Sequence, residues 1–155
     1  MLRHRIPHFA DFGMDTITLA GGLAQKLAAI RNAGFQQVML SAKDLTQHEA
    51  GWEDAVELVR NSGLRVTGFQ VLRDFEGLNG HLHHYKIDIA QSMLDMCEAV
   101  GSQVLLVCSS TSVHASSNPE DLARDLRKLA MLAIPKRIRI AYEGLSWGRA
   151  INTYE

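Results

Sequence analysis

Short apolar runs alternate along this chain with longer segments in which apolar residues recur every three to four positions, and each change of rhythm falls on glycine, proline or a polar cluster. The short runs predict five strands: Asp15 to Leu19, Phe35 to Leu40, Arg65 to Leu72, the VLLVC run ending at Ser109, and Arg137 to Glu143. The longer segments predict helices between them. The first spans Leu23 to Ala33, with Leu23, Leu27 and Ile30 on one face and Gly34 closing it. A second runs from about Glu49 to Asn61 on the stripe Trp52, Val56 and Val59, and Gly63 ends it. A third spans Gly80 to Val100, with Ile87, Met93, Leu94 and Cys97 as its core stripe. A fourth begins at NPED, where Asn118 is the cap, Pro119 the first helical residue and acids fill the first turn; it runs to about Leu132, and Pro135 breaks it.

Strand and helix thus alternate with a repeat of roughly thirty residues, which fits a parallel sheet either closed as a barrel or open and doubly wound. A nucleotide-binding sheet should carry a glycine-rich phosphate turn after its first strand. Here LAGGLAQKL has neither GxGxxG nor the Walker lysine and serine, so Gly21 and Gly22 read as a plain strand-to-helix turn.

Composition narrows the function classes. A chain of 155 residues, 46% of them hydrophobic, has material for one packed domain. Sixteen basic against seventeen acidic residues leave a formal charge of -1, with no excess to attract a nucleic acid backbone or an anionic membrane surface, so the expected partner is a small molecule. No apolar run approaches membrane-spanning length. Residues 1–13, MLRHRIPHFADFG, are basic but lack the apolar stretch of a signal peptide; they are expected to be a disordered leader, with the fold starting at Met14. Cys97 and Cys108 lie in apolar runs and read as small buried hydrophobes; with no disulfide framework or CxxC motif, a cytoplasmic location is expected.

If the strands are parallel, their C-terminal ends open on one face, where barrels place reacting groups. Those ends offer Ser41, Lys43 and Asp44; Gln70, Arg73, Asp74 and Glu76; Ser109 and Ser110; and Glu143, Trp147 and Arg149. Glu143 ends an apolar strand, which suits a ligand to a hard cation and a paired structural acid equally. Arg73 could grip a substrate carboxylate with two parallel hydrogen bonds, but an ion pair with Asp74 or Glu76 is the simpler reading, and Arg149 carries the same ambiguity. In HLHH, His81 and His84 share a helix face; without a cysteine or acid to complete a zinc pattern they read as a solvated first turn.

Four blocks in this order, GFQQVMLSAKDL, QVLRDFEG, VLLVCSS and IAYEGLSWGR followed by NTYE, resemble the 3-dehydroshikimate dehydratase branch of the sugar phosphate isomerase/epimerase superfamily, the xylose-isomerase-like barrels. The resemblance runs from about Met14 to the last residue. It implies a (β/α)8 TIM-barrel fold of which this chain holds the N-terminal part, truncated after the fifth parallel strand. It implies a divalent metal, Mg, Mn or Co, bound in the full-length parent, with Glu143 of the YE motif as its first ligand and the others on later strands. The reaction it implies is dehydration of 3-dehydroshikimate to protocatechuate, with the metal steadying an enolate while a base removes a proton. Arg73 and Arg149 would then meet the substrate carboxylate and hydroxyls, with Gln70 and Ser109 lining the pocket. Met39 stands where many members have a glutamate, and Leu145 where some dehydratases have a histidine, so the base is unassigned.

A chain stopping after five strands is expected to hold no metal firmly, to be inactive alone, and, if complete, to cover its open edges by pairing with another copy. The alternatives are a related sugar or keto-acid isomerase or epimerase, a non-catalytic self-associating half barrel, and an open α/β sheet binding a ligand at a strand-order switch.

Overall fold

Strand formation begins earlier than the apolar pattern suggests and stops sooner, because Asp15 intervenes. In the computed structural model, which describes residues 8–153, β1 is Gly13–Asp15 and is followed at once by a 3-10 turn, Thr16–Thr18. The Asp15 carboxylate accepts the Ile17 amide at 2.9 Å, an N-cap that bends the chain out of the sheet where Asp15 to Leu19 was expected to stay extended. Upstream, residues 1–7 of the expected leader lie outside the described residues. Phe9–Asp11 form a 3-10 turn closed by the Asp11 amide on His8 O, and Gln37 Nε2 donates to Ala10 O at 2.8 Å.

The remaining elements are α1 Leu23–Asn32, β2 Gln37–Ser41, α2 Ala42–Thr46, α3 Trp52–Asn61, β3 Arg65–Arg73, α4 Gly80–Val100, β4 Val104–Cys108, α5 Pro119–Ala133 and β5 Arg139–Glu143. All five strands are parallel in one sheet of order β1-β2-β3-β4-β5. Sequential order leaves no point at which the strand order reverses, which removes the open-sheet alternative with its switch-point ligand site. The short α2 was not expected; five residues give too little period to see. The fourth predicted helix, α5, starts where its cap says, since Asn118 Oδ1 accepts the Glu120 amide at 3.0 Å. Strand β5 starts two residues later than expected because Ile134–Lys136 make a 3-10 turn and Arg137 takes a left-handed φ of 56°.

The chain gathers into two compact units, Met1–Thr67 and Gly68–Glu155. In the first, β1, β2 and the start of β3 pack with α1, α2 and α3 around Leu27, Ile30, Val38, Leu40 and Val59. The Lys26 ammonium meets Asp44 at 2.7 Å there, and Thr16 Oγ1, fully buried, accepts the Ser41 amide. In the second, the end of β3 with β4, β5, α4 and α5 encloses Phe69, Leu72, Leu94, Cys97, Leu105, Val107 and Leu129. Burying a leucine fully, as at Leu105, contributes about 1.5–3 kcal/mol. Gly101 ends α4 in the left-handed region, φ 75°, at the position where the sequence places the stop.

Candidate functional site

The second unit carries the polar strand ends. Register sets Arg73 beside Cys108 and Cys108 beside Glu143, so the last residues of β3, β4 and β5 form one lateral row. Side chains paired this way in parallel strands project to the same face of the sheet. Arg73 and Glu143 are exposed, with buried Cys108 between them. The Cys108 thiol donates to Glu143 Oε2 at 3.4 Å. Burial, then the hydrogen bond and charge of Glu143, push that thiol up to about 11, against the opposing pull of Arg73. The sequence marked Cys108 only as an apolar filler; the signal available was its place as the last residue of its strand, matching Glu143 in β5.

Beside this row the acids of RDFEG face inward. Glu76 is almost fully buried; its Oε1 accepts the Ser110 amide and the Tyr142 hydroxyl, the latter at 2.8 Å. Burial raises its carboxyl above the usual range despite those bonds. Tyr142 is raised as well, by burial and then by the charge of Glu76. Asp74, held at a left-handed φ of 51°, accepts from Thr111 N at 2.8 Å, Thr111 Oγ1 at 3.2 Å and Ser110 Oγ at 3.3 Å. Its burial pushes upward, but those hydrogen bonds and Lys86 outweigh it and hold the carboxyl below the usual range. Both acids expected to pair with Arg73 are therefore turned to the β4–α5 loop. Among the described residues the Arg73 guanidinium has no ion pair within 4.0 Å, while its carbonyl accepts Lys86 Nζ at 2.7 Å.

The other anticipated residues take different places. Gln70 is buried in β3, inside the register irregularity between Phe69 and Leu72. Ser109 is buried too: its amide donates to Glu143 O at 2.9 Å and its hydroxyl accepts the Leu145 amide at 2.9 Å, which fastens the loop after β5. Arg149 donates its amide to Ser110 O and its Nε to Ala115 O at 3.0 Å, so its exposed side chain lies along the β4–α5 loop. His81 and His84 are exposed on the first turn of α4, with His84 Nδ1 bonded to Gly80 O.

Among the described residues no group of three or more His, Cys, Asp or Glu is placed to hold a metal ion, and none of their helices is long and apolar enough to cross a membrane. What the row offers a hard cation is a single exposed carboxylate, Glu143, which fits one position of a coordination sphere and not a whole one. In the first unit a cleft of about 410 Å³ is lined by Gly21, Gly22, Lys43, Asp44 and His48 among others.

Residues 27–155 match the family described as xylose isomerase-like TIM barrel. A 3-dehydroshikimate dehydratase from Pseudomonas aeruginosa is 38% identical over 140 residues, which are 90% of this chain and 22% of that protein. A solved xylose isomerase-like TIM barrel/4-hydroxyphenylpyruvate dioxygenase fusion protein is 34% identical with a TM-score of 0.84, over 92% of this chain and 23% of its own. A protein named IolI, crystallised with a bound zinc atom, shares the fold at 16% identity and a TM-score of 0.68, over 84% of this chain and 50% of its own. The chain thus spans about a fifth of the length of the curated relatives it matches. Five sequential parallel strands with helices between them, and a match over most of the chain, place this protein in the xylose isomerase-like TIM barrel family.

Proposed function

We propose that this chain supplies the β3–β5 portion of a dehydratase site that converts 3-dehydroshikimate to protocatechuate, and that it does not complete that site alone. The observation that carries the reading is the row Arg73, Cys108, Glu143 at the C-terminal strand ends, which sets an exposed guanidinium, without an ion pair among the described residues, and an exposed carboxylate on one face. Its support beyond geometry is the likeness to the Pseudomonas dehydratases.

In this reading Arg73 receives the substrate carboxylate, because a planar guanidinium not already paired can form two parallel hydrogen bonds to it. Arg149, held by its Nε to Ala115 O, orients toward substrate hydroxyls with its remaining donors. Glu143 would contribute one oxygen ligand to a divalent cation, and the hydrogen bond from the Cys108 thiol orients that carboxylate. When bound, such a cation supplies Lewis-acid polarisation of a carbonyl oxygen. Ser109, with its hydroxyl engaged to Leu145 N, serves the site by holding the β5 loop, and Gln70 is a buried residue of the strand that ends at Arg73.

The test is an ultraviolet assay for protocatechuate with manganese or magnesium. It compares the 155-residue chain with the same residues joined to the part of the Pseudomonas aeruginosa relative that follows the matched region. Product from the joined polypeptide and none from the shorter chain is the expected result. Turnover by neither, with the joined protein folded, would contradict the substrate assignment, and turnover by the short chain would contradict its incompleteness.

A further inference from the structure

Asp125 is buried on α5, 1% exposed, far from ordinary behaviour for a carboxylate. Its Oδ2 accepts the amide of Gly77 at 2.9 Å, and His83 Nδ1 stands 3.9 Å from the same oxygen. Its Oδ1 is taken by Arg124, whose Nε and Nη2 both lie at 3.3 Å. The His83 nitrogen is buried and has no hydrogen-bond partner among the described residues. The charged and titratable groups facing the imidazole are Asp125, Lys128 and Arg124 from α5 and His84 from its own helix; Phe75, from the β3–α4 loop, lies against it with ring centroids 6.1 Å apart. Burial keeps the imidazole below its ordinary range; Asp125 opposes this, and Lys128, His84 and Arg124 reinforce it. At neutral pH the ring is uncharged and the Gly77 amide has Oδ2 to itself.

A protonated His83 changes the competition. A hydrogen on the buried Nδ1 without an acceptor is unfavourable, and among the described residues the carboxylate that faces it is Asp125. Charge-assisted pairing draws N and O to about 2.7–2.9 Å. If Oδ2 moves to close the present 3.9 Å gap to that distance, its bond to Gly77 N lengthens. Gly77 cannot simply follow. Its carbonyl is held by the Ser116 amide at 2.7 Å, and it sits at φ 80° so tightly against Leu122 and Ser116 that no Cβ would fit. We propose that Asp125 Oδ2 is a shared acceptor through which protonation of His83 releases the Gly77 amide, while Asp74, Glu76 and the Gly77 carbonyl keep their own bonds to Ser110, Thr111, Tyr142 and Ser116. The device depends only on the second unit's own geometry and not on the substrate assigned above.

Proton uptake by a depressed imidazole occurs below its ordinary value of 6.5, so the Gly77 bond is intact at neutral pH and is lost as pH falls through the folded-state value. The experiment is a titration of the ¹⁵N-labelled 155-residue chain from about pH 7.5 to about pH 4.5, following the Gly77 amide and the His83 ring nitrogens together by NMR. The expected result is that the Gly77 amide moves upfield with the same midpoint as the His83 ring, below 6.5, and that this step disappears in His83→Gln. Because the coincidence of midpoints is read in the unsubstituted chain, a variant that fails to fold leaves the test standing. A Gly77 amide that stays still while His83 titrates, one that moves identically in His83→Gln, or a His83 that takes up no proton before the chain unfolds would each overturn the proposal.

Discussion

Cys108 gives its thiol hydrogen to Glu143 while standing in register with Arg73, and both its burial and the neighbouring carboxylate favour the protonated thiol. Cys97, at the core of α4, is pushed still higher, to about 12, by burial. At pH 8 a thiol raised to about 11 is roughly a thousandth ionised, so thiol reagents should label the folded chain at least about a hundredfold more slowly than free cysteine. Rapid labelling of Cys108 in the folded protein would contradict the buried donor seen here. Between their ordinary value of 9.0 and these raised values the folded state keeps protons that the unfolded state has lost. Stability from the two thiols is therefore complete below that window and falls as pH rises through it. Ser109 offers a second residue-level check. In Ser109→Ala the buried Leu145 amide loses its acceptor, which should cost about 1–3 kcal/mol in urea unfolding. A change near zero would mean that the loop after β5 is fastened elsewhere.

Among the elements, those with their own local signals were legible and those fixed by distant partners were not. α4 was read to its end residues because its period is long and Gly101 supplies the left-handed stop. α5 was read at its start because Asn118 and Pro119 form a cap that needs no tertiary help. β1 was misplaced, since the Asp15 cap overrides an apolar run, and α2 is too short to show a period. Asn118→Ala should destabilise the chain by about 1 kcal/mol, seen as a lower urea midpoint with unchanged slope. Gly77→Ala should cost considerably more than an ordinary surface change. An alanine at φ 80° is strained, and its methyl would press into Leu122 and the Ser116 backbone. Thermal unfolding close to that of the unsubstituted chain would show that this loop yields more readily than its contacts indicate.

For the whole molecule, the succession of strands and helices could be read from the alternation of run lengths and the polar residues at the strand ends from the sequence itself, but that alternation fits a barrel and an open sheet alike, and the order β1-β2-β3-β4-β5 is what separates them. The assignment of partners could not be read from the sequence. Arg73 was expected to pair with Asp74 or Glu76, but those acids are claimed by Ser110, Thr111 and Tyr142 from other elements, which is knowledge only the register supplies. The same holds for Ser109, whose buried hydroxyl accepts the Leu145 amide and also bonds Tyr142, neither partner being visible in the sequence. Glu143 remains exposed at the end of the row, and the account of function turns on it. The most direct measurement is therefore Glu143→Gln in the joined polypeptide described above, assayed for protocatechuate with manganese, alongside circular dichroism to monitor the fold. The account predicts loss of metal-dependent turnover with the fold retained; turnover undiminished by the substitution would remove Glu143 from the site and contradict it.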